Sequence, residues 1–304
     1  MFMRQLSYLI ALDKHRHFGR AAESCHVSQP ALSTAISELE RELGITIIRR
    51  NRAFQGITPE GERVLAWARR VLVSLEGLRQ EAELVRSVPG GHLSIGAVPS
   101  AIHPITLLSA EYRQLIAGLT LEIQSLSTPE ILLRLKEQDL HLGLTYDEAV
   151  AEDIYDVLPL FTERYVLIAG EQDSLPRQLS WAEAAELPLC LLSQNMQNRR
   201  MLDAVFLKSG VRPHVVLETN AIRILLAEAL SGRAFSIMPL SALPTAYASA
   251  GVRIHAITPE HTAEVCLVRL RRETQPPLSD AAWRLAANID LQRALDEPLA
   301  ARPR

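Results

Sequence analysis

Residues 18–61 read FGRAAESCHVSQPALSTAISELERELGITIIRRNRAFQGITPEG, and this stretch decides the fold of the amino-terminal part. Ala21 and Ala22 lie in a short helical segment near residues 18–25, where small side chains permit close helix packing. His26, Val27 and Ser28 make a turn. Ser28 is a good N-cap, and Pro30 falls in the first helical turn, near where proline is tolerated. Leu32, Ala35, Ile36, Leu39 and Leu43 then recur at helical spacing, and Gly44 suits the C′ position. Ser33, Thr34, Ser37 and Glu38 fall on or near the opposite face. Residues 45–48 are β-prone, Arg49, Arg50 and Arg52 are basic, and Gln55-Gly56 suits a turn, so residues 45–58 predict a two-stranded wing. Upstream, Leu6, Leu9, Ile10 and Ala11 predict a further helix.

A long helix is predicted over residues 59–87. Val64, Ala68, Val71, Leu75, Leu78, Ala82 and Val85 are spaced 4, 3, 4, 3, 4, 3. Packing against its own domain is one reading. A strict 3.5 repeat of this length favours a helix–helix partner. Val88-Pro89-Gly90-Gly91 then marks a linker. Beyond it, strand-like runs at 92–98, 120–124, 140–145, 165–169, 189–192, 215–217, 234–238, 252–256 and 264–270 alternate with helix-like runs. The helices fall near 104–117, 129–138, 180–186, 197–209, 220–231, 239–248 and 279–295. This alternation predicts α/β layers on mostly parallel sheets.

The 304 residues suffice for two domains, and 48% hydrophobic with 22% charged residues excludes wholesale disorder. The net charge of −3 excludes a uniformly basic nucleic-acid binder. It is an average over unlike parts. Residues 1–90 carry 13 Arg/Lys against 10 Asp/Glu, and residues 91–304 carry 19 against 25. Three cysteines build no disulfide framework, residues 1–15 have no signal-peptide pattern, and no apolar run reaches about 18 residues. The expectation is a cytosolic protein with no membrane partner.

Residues 18–61 resemble the winged helix-turn-helix of LysR-type transcriptional regulators. Phe18, Ala21, Ala22, Ser28, Gln29, Pro30, Ala31, Ser33, Ile36, Leu39, Glu40, Leu43, Gly44, Arg50, Thr58 and Gly61 carry the likeness. The remainder has the length and alternation of that family's effector domain, with a looser match. Cys25 and Ile47-Ile48 depart from the family's usual Leu and Leu-Phe. Pro99 stands where the family often has Ser or Thr. The resemblance implies a multidomain α+β chain. Its winged helix-turn-helix spans 1–60 and its dimerising linker helix and hinge 61–90. A two-lobed, periplasmic-binding-protein-like α/β effector domain spans 91–304. One lobe holds about 91–160 and 265–304, the other 161–264.

For the residues, this implies that Ser28, Gln29, Pro30, Ser33, Thr34 and Ser37 face the major groove of promoter DNA. Gln can bond adenine bidentately, Ser and Thr can read several edges, and a Pro ring can touch a thymine methyl. A capped surface helix is the competing reading. Arg49, Arg50 and Arg52 suit phosphate or minor-groove contact, Arg50 also a role within the domain, and Arg4 and Arg20 could hold the backbone. The resemblance further implies antiparallel pairing of linker helices, often tetramers, and the transcription machinery as a partner.

In a doubly wound sheet, ligands bind beyond the strand C-termini at helix N-termini. Pro99-Ser100, Ser127-Thr128, Ser193-Gln194-Asn195 and Thr219-Asn220 are polar turns of that kind. Singly each is an N-cap; jointly they suit a small polar effector, anions included. Arg199 and Arg200 could add positive charge, although surface placement suits them too, and Tyr146 is a further wall. No dinucleotide fingerprint, Walker loop, nucleophile elbow or HExxH occurs, so no enzyme and no cofactor are expected. His15, His17 and His26 with Cys25 match no metal spacing. Cys190 and Cys266 sit in apolar runs and suit inert core thiols, with a thiol redox sensor as the alternative regulator. A small-molecule-binding protein or enzyme with a helical dimerisation domain is the alternative from another class.

Overall fold

The computed structural model describes residues 2–51, 53–85, 91–243 and 251–300, with the side chains at 50, 51, 53, 80–85 and 297–300 outside that description. Arg52, the side chain of Arg50, those of Ala82 and Val85, and the linker at 86–90 therefore lie outside the described residues. The chain divides into two compact units, Met1–Val88 with Gln275–Pro277, and Pro89–Thr274 with Leu278–Arg304.

The first unit holds α1 (Met3–His15), α2 (Phe18–Ser24), α3 (Gln29–Leu43), β1 (Ile48–Asn51), β2 (Ala53–Ile57) and α4 (Pro59–Val85). Leu6, Leu9 and Leu12 of α1 and Leu32, Ile36 and Leu39 of α3 share one core with Ala21 and Ala22, the small pair that lets α2 come close. His17 Nδ1 caps α2 by accepting from the amides of Gly19 and Arg20. Ser28 caps α3 as expected, and Gly44 ends it at φ 68°. The wing is antiparallel with an irregularity between Arg49 and Arg50.

Three residues, Glu40, Thr58 and Arg69, tie the elements of this unit together. Glu40 Oε1 of α3 accepts from the amides of Ile47 and Ile48 at 2.8 and 2.9 Å. Thr58 Oγ1 donates to the Thr46 carbonyl at 2.6 Å and accepts from the Gly61 amide at 2.9 Å. Arg69 of α4 pairs with the buried Asp13 of α1 at 2.7 Å.

The heptad seam of α4 divides into two parts. Val64, Ala68 and Val71 pack on the helix-turn-helix core with Leu65 and Leu72, so the own-domain reading holds for this first part. Leu75 is half-buried, and Leu78 is 66% exposed. Apolar spacing alone cannot tell which core a helix face will meet.

The second unit opens with β3 (Gly91–Ala97), a 3-10 turn (Pro99–Ala101), α5 (Ile102–Leu115), β4 (Leu119–Ser125), α6 (Thr128–Glu137) and β5 (Leu142–Tyr146). The long β6 (Tyr155–Gly170) follows. Next come β7 (Gln178–Ser180), α7 (Trp181–Glu186), β8 (Leu189–Leu192), α8 (Gln197–Lys208), β9 (Val215–Thr219), α9 (Ile222–Leu230) and β10 (Ser236–Pro239). A 3-10 turn (Leu240–Ala242), β11 (Val252–Thr258), β12 (Thr262–Leu270), α10 (Pro277–Ala287) and α11 (Leu291–Ala300) complete it.

One sheet runs β4-β3-β5-β12-β6-β11-β7, with β10 also on β6, and β8-β9 pair separately. The expectation of mostly parallel sheets is corrected. β4-β3-β5 are parallel, but β12 is antiparallel to both β5 and β6, and β10 and β11 are antiparallel to β6. The cause is β6, which runs 16 residues where only 165–169 was expected. Its first half pairs with β12 and its second with β10 and β11. The expected lobe boundary at residues 160/161 therefore falls inside this strand.

Two helix expectations also change. The helix expected at 239–248 is a 3-10 turn at Leu240–Ala242, with 244–250 outside the described residues. The helix expected at 279–295 breaks between α10 and α11, where Asp290 Oδ1 accepts from the Arg293 amide and starts a new helix.

Candidate DNA-reading helix and inter-lobe site

α3 has one face in the core and one in solvent because its apolar residues recur every three or four positions. Gln29, Pro30 and Thr34 are exposed at its N-terminal end. Ser28 is exposed too, but its hydroxyl accepts from the Ala31 amide. Ser33 and Ser37 are half-buried, and Ser37 Oγ donates to the Ser33 carbonyl at 3.0 Å. Of the expected DNA contacts on this helix, Gln29, Pro30 and Thr34 thus have exposed side chains that make no hydrogen bond among the described residues. Arg49 on β1 is exposed, as are Arg4 and Arg20.

In the second unit, a buried hydrogen-bond network joins β5, β6, α8 and the turns after β3 and β10. Its hub is Glu163 on β6, which is 0% exposed. Tyr146 at the end of β5 donates its hydroxyl to Glu163 Oε2 at 3.0 Å. That proton being spent, the Tyr146 oxygen accepts from Ser100, 2.7 Å away, and from Asn198 Nδ2 at 3.3 Å. Asn198, on α8, also donates to the Tyr165 hydroxyl at 2.9 Å. Ser241 Oγ donates to Glu163 Oε1 at 3.3 Å. Burial pushes the Glu163 carboxyl up to about 7, against hydrogen bonds from Tyr146, Ser100 and Ser241 that pull it down. Beside this network, the Thr128 and Thr145 hydroxyls bond each other at 2.7 Å, both buried.

The expected effector residues fall into two groups, Ser100 and Thr128 bonded to the adjacent Tyr146 and Thr145, and Ser193 beside Thr219, whose carbonyl accepts from the Ser193 amide at 2.8 Å. Ser100 is buried and bonds Tyr146, and its neighbour Pro99 is buried too. Thr128 is committed to Thr145. Ser127 serves the α6 capping box with Glu130, and Thr219 Oγ1 accepts from the Ala221 amide. Ser193 is half-buried, and Gln194, Asn195 and Asn220 are exposed near the ends of β8 and β9.

Arg199 is neither a surface residue nor a free cation. It is buried and bonds Asp203 Oδ1, Glu218 Oε1 and the Leu192 carbonyl. Arg200 is exposed. Among the described residues, no group of three or more His, Cys, Asp or Glu could hold a metal. Sequence reading missed Glu163, Tyr165, Asn198 and Ser241. One signal was present: Phe161, Glu163, Tyr165 and Leu167 alternate on one buried strand face.

Residues 3–62 match the family described as "Bacterial regulatory helix-turn-helix protein, lysR family", and residues 86–289 match "LysR substrate binding domain". The chain is 28% identical over 273 residues to the DNA-binding transcriptional dual regulator OxyR of Escherichia coli K12, covering 88% of this chain and 89% of that protein. It is 32% identical over 205 residues to the hydrogen peroxide-inducible genes activator of Haemophilus influenzae, covering 67% and 65% of the two chains. A full-length OxyR cysteine variant from Pseudomonas aeruginosa superposes with a TM-score of 0.72 at 24% identity, over 95% of this chain and 97% of that one. The full-length LysR-family regulator CbnR complexed with its target DNA gives a TM-score of 0.66 at 20% identity, over 95% and 99%. At these identities the structures speak to the fold alone. No described helix is long and apolar enough to cross a membrane.

Proposed function

The chain belongs to the LysR family of DNA-binding transcription regulators, and from that premise we propose how its two units divide the work. The first unit lays α3 in the major groove, with Gln29, Pro30 and Thr34 on base edges and Arg49 on a phosphate. The observation that carries this is the exposed N-terminal end of α3, on a helix whose other face is locked by Leu32, Ile36 and Leu39. Two copies pair along α4, using its half-buried to exposed apolar residues Leu75 and Leu78, and so read two half-sites. The second unit binds a small polar effector between its lobes. That effector changes DNA binding only by favouring one subunit arrangement over another.

Salt-dependent binding to the DNA upstream of the gene tests the first unit. Gln29→Ala is expected to lose about 1–3 kcal/mol of discrimination at one base position. Arg49→Ala is expected to weaken binding evenly across sequences and reduce the salt slope by about 1. Unchanged base selectivity in Gln29→Ala would remove that residue from the readout.

The names of the relatives raise a second reading, oxidation of a thiol. The chemistry of Cys190 and Cys266 weighs against their serving in it. Burial pushes Cys190 up to about 11 and Cys266 up to about 12, so both stay protonated and unreactive near neutral pH. The Cys266 thiol also donates to the Thr145 carbonyl at 3.3 Å. With a disulfide reagent on the native protein, Cys190 and Cys266 are expected to react only as fast as the second unit opens. Fast stoichiometric labelling of either one would return the redox reading.

A further inference from the structure

We infer that the effector entering the inter-lobe seam carries an ammonium or guanidinium group, and that Glu163 is the residue that selects it. This rests on the inter-lobe reading above and adds the charge of the ligand.

Glu163 stands on the long strand β6, and its carboxyl is held from both sides. Tyr146 of β5 bonds one oxygen, and Ser241, after β10, bonds the other. If the lobes part, at least one of these bonds must break, and the acid is then free to meet an incoming group. Among the described residues, the side chains that bond it, Tyr146 and Ser241, and those that extend the network, Ser100, Asn198 and Tyr165, are neutral. Among the described residues no cation pairs with it. Arg199 is spent on Asp203 and Glu218. Arg164, next along β6, points to the other face by strand alternation and lies 3.8 Å from Glu260.

A buried carboxyl without a cation costs stability when ionised. If its only task were to bond neighbouring hydroxyls, a glutamine, whose oxygen accepts and whose amide nitrogen can donate to a hydroxyl, would do so without that cost. An anionic effector would meet like charge as the seam opened. A cationic one would supply the missing partner. Ser241 also borders a cavity of about 260 Å³, where the carboxylates of Glu260 and Asp296 outnumber the single guanidinium of Arg164. Thr162 and Arg164 put that cavity on the β6 face opposite Glu163, but residues 91–304 as a whole carry 25 Asp/Glu against 19 Arg/Lys, which favours a cation over an anion.

Thermal shifts of the full-length chain at neutral pH and matched ionic strength test this. The probes are 1,4-diaminobutane, agmatine and succinate. The proteins are wild type, Glu163→Gln, Asn198→Ala and, should the glutamine variant misfold, Ser241→Ala. At least one cation is expected to raise the wild-type melting temperature saturably. Its apparent affinity should fall at least tenfold in Glu163→Gln, and succinate should have no effect. A succinate shift kept in Glu163→Gln but lost in Asn198→Ala would overturn the cation while sparing the inter-lobe site. If every probe response is indifferent to all the seam variants, the inter-lobe reading falls as well. No wild-type shift with either cation overturns the inference.

Discussion

Gly61→Ala is expected to destabilise the first unit by about 3 kcal/mol or more and to abolish specific DNA binding. A Cβ at residue 61 would lie 2.5 Å from the Ile47 carbonyl oxygen, 2.7 Å from Ile57 Cγ2 and 2.9 Å from Ile47 Cγ2. The first of these is backbone and cannot rotate away. That carbonyl already accepts from the Thr58 amide at 2.8 Å, while the Ile47 amide donates to Glu40 of α3. Pushing Ile47 aside therefore moves the root of the wing and strains its tie to the reading helix together. Since native domains are stable by only about 5–15 kcal/mol, the loss is a large share of the total. Thermal unfolding followed by circular dichroism should show the first unit melting more than about 10 °C lower. A melting temperature within about 2 °C of wild type would mean that the wing root yields freely.

The stability of the second unit is expected to fall as pH rises from about 4.5 to about 7, and Glu163→Gln should remove that share of the fall. The Glu163 carboxyl stands near 4.5 in the unfolded chain and is pushed up to about 7 by burial in the fold. Between these values the native state holds a proton that the unfolded chain has released. Unfolding then releases a proton, so stability declines across this window and levels off above it. At about 1.4 kcal/mol per pH unit, the full span is about 3 kcal/mol. Urea midpoints measured from about pH 5 to about pH 8 should therefore rise for Glu163→Gln relative to wild type as pH increases. Parallel curves for the two proteins would show that Glu163 holds no extra proton in the fold.

The two expectations rest on features that differed in legibility. The helix-turn-helix could be read because its determinants are local. Leu32, Ile36 and Leu39 lie within one helix, and Ser28 and Gly44 sit at its ends. The network around Glu163 could not, because its bonds join residues far apart in sequence. Tyr146 and Glu163 are 17 residues apart, Ser100 and Tyr146 are 46, and Glu163 and Ser241 are 78. Turns between strands and helices were read as ligand-facing, yet Ser127 and Thr219 satisfy backbone or capping partners within a few residues. The long strand β6 was hidden because Pro159 and the polar run Thr162-Glu163-Arg164 look like loop. Its partner β12 stands about a hundred residues later, beyond reach of any local pattern.

The most direct measurement is a nuclease footprint of the purified full-length chain on the DNA upstream of its own gene. The account predicts two protected half-sites whose centres are spaced by about one helical turn or a multiple of it, with protection weakening as salt rises. Gln29→Ala should blur the boundaries of protection. Absence of protection at every salt concentration up to physiological strength, with the protein folded, would contradict the account.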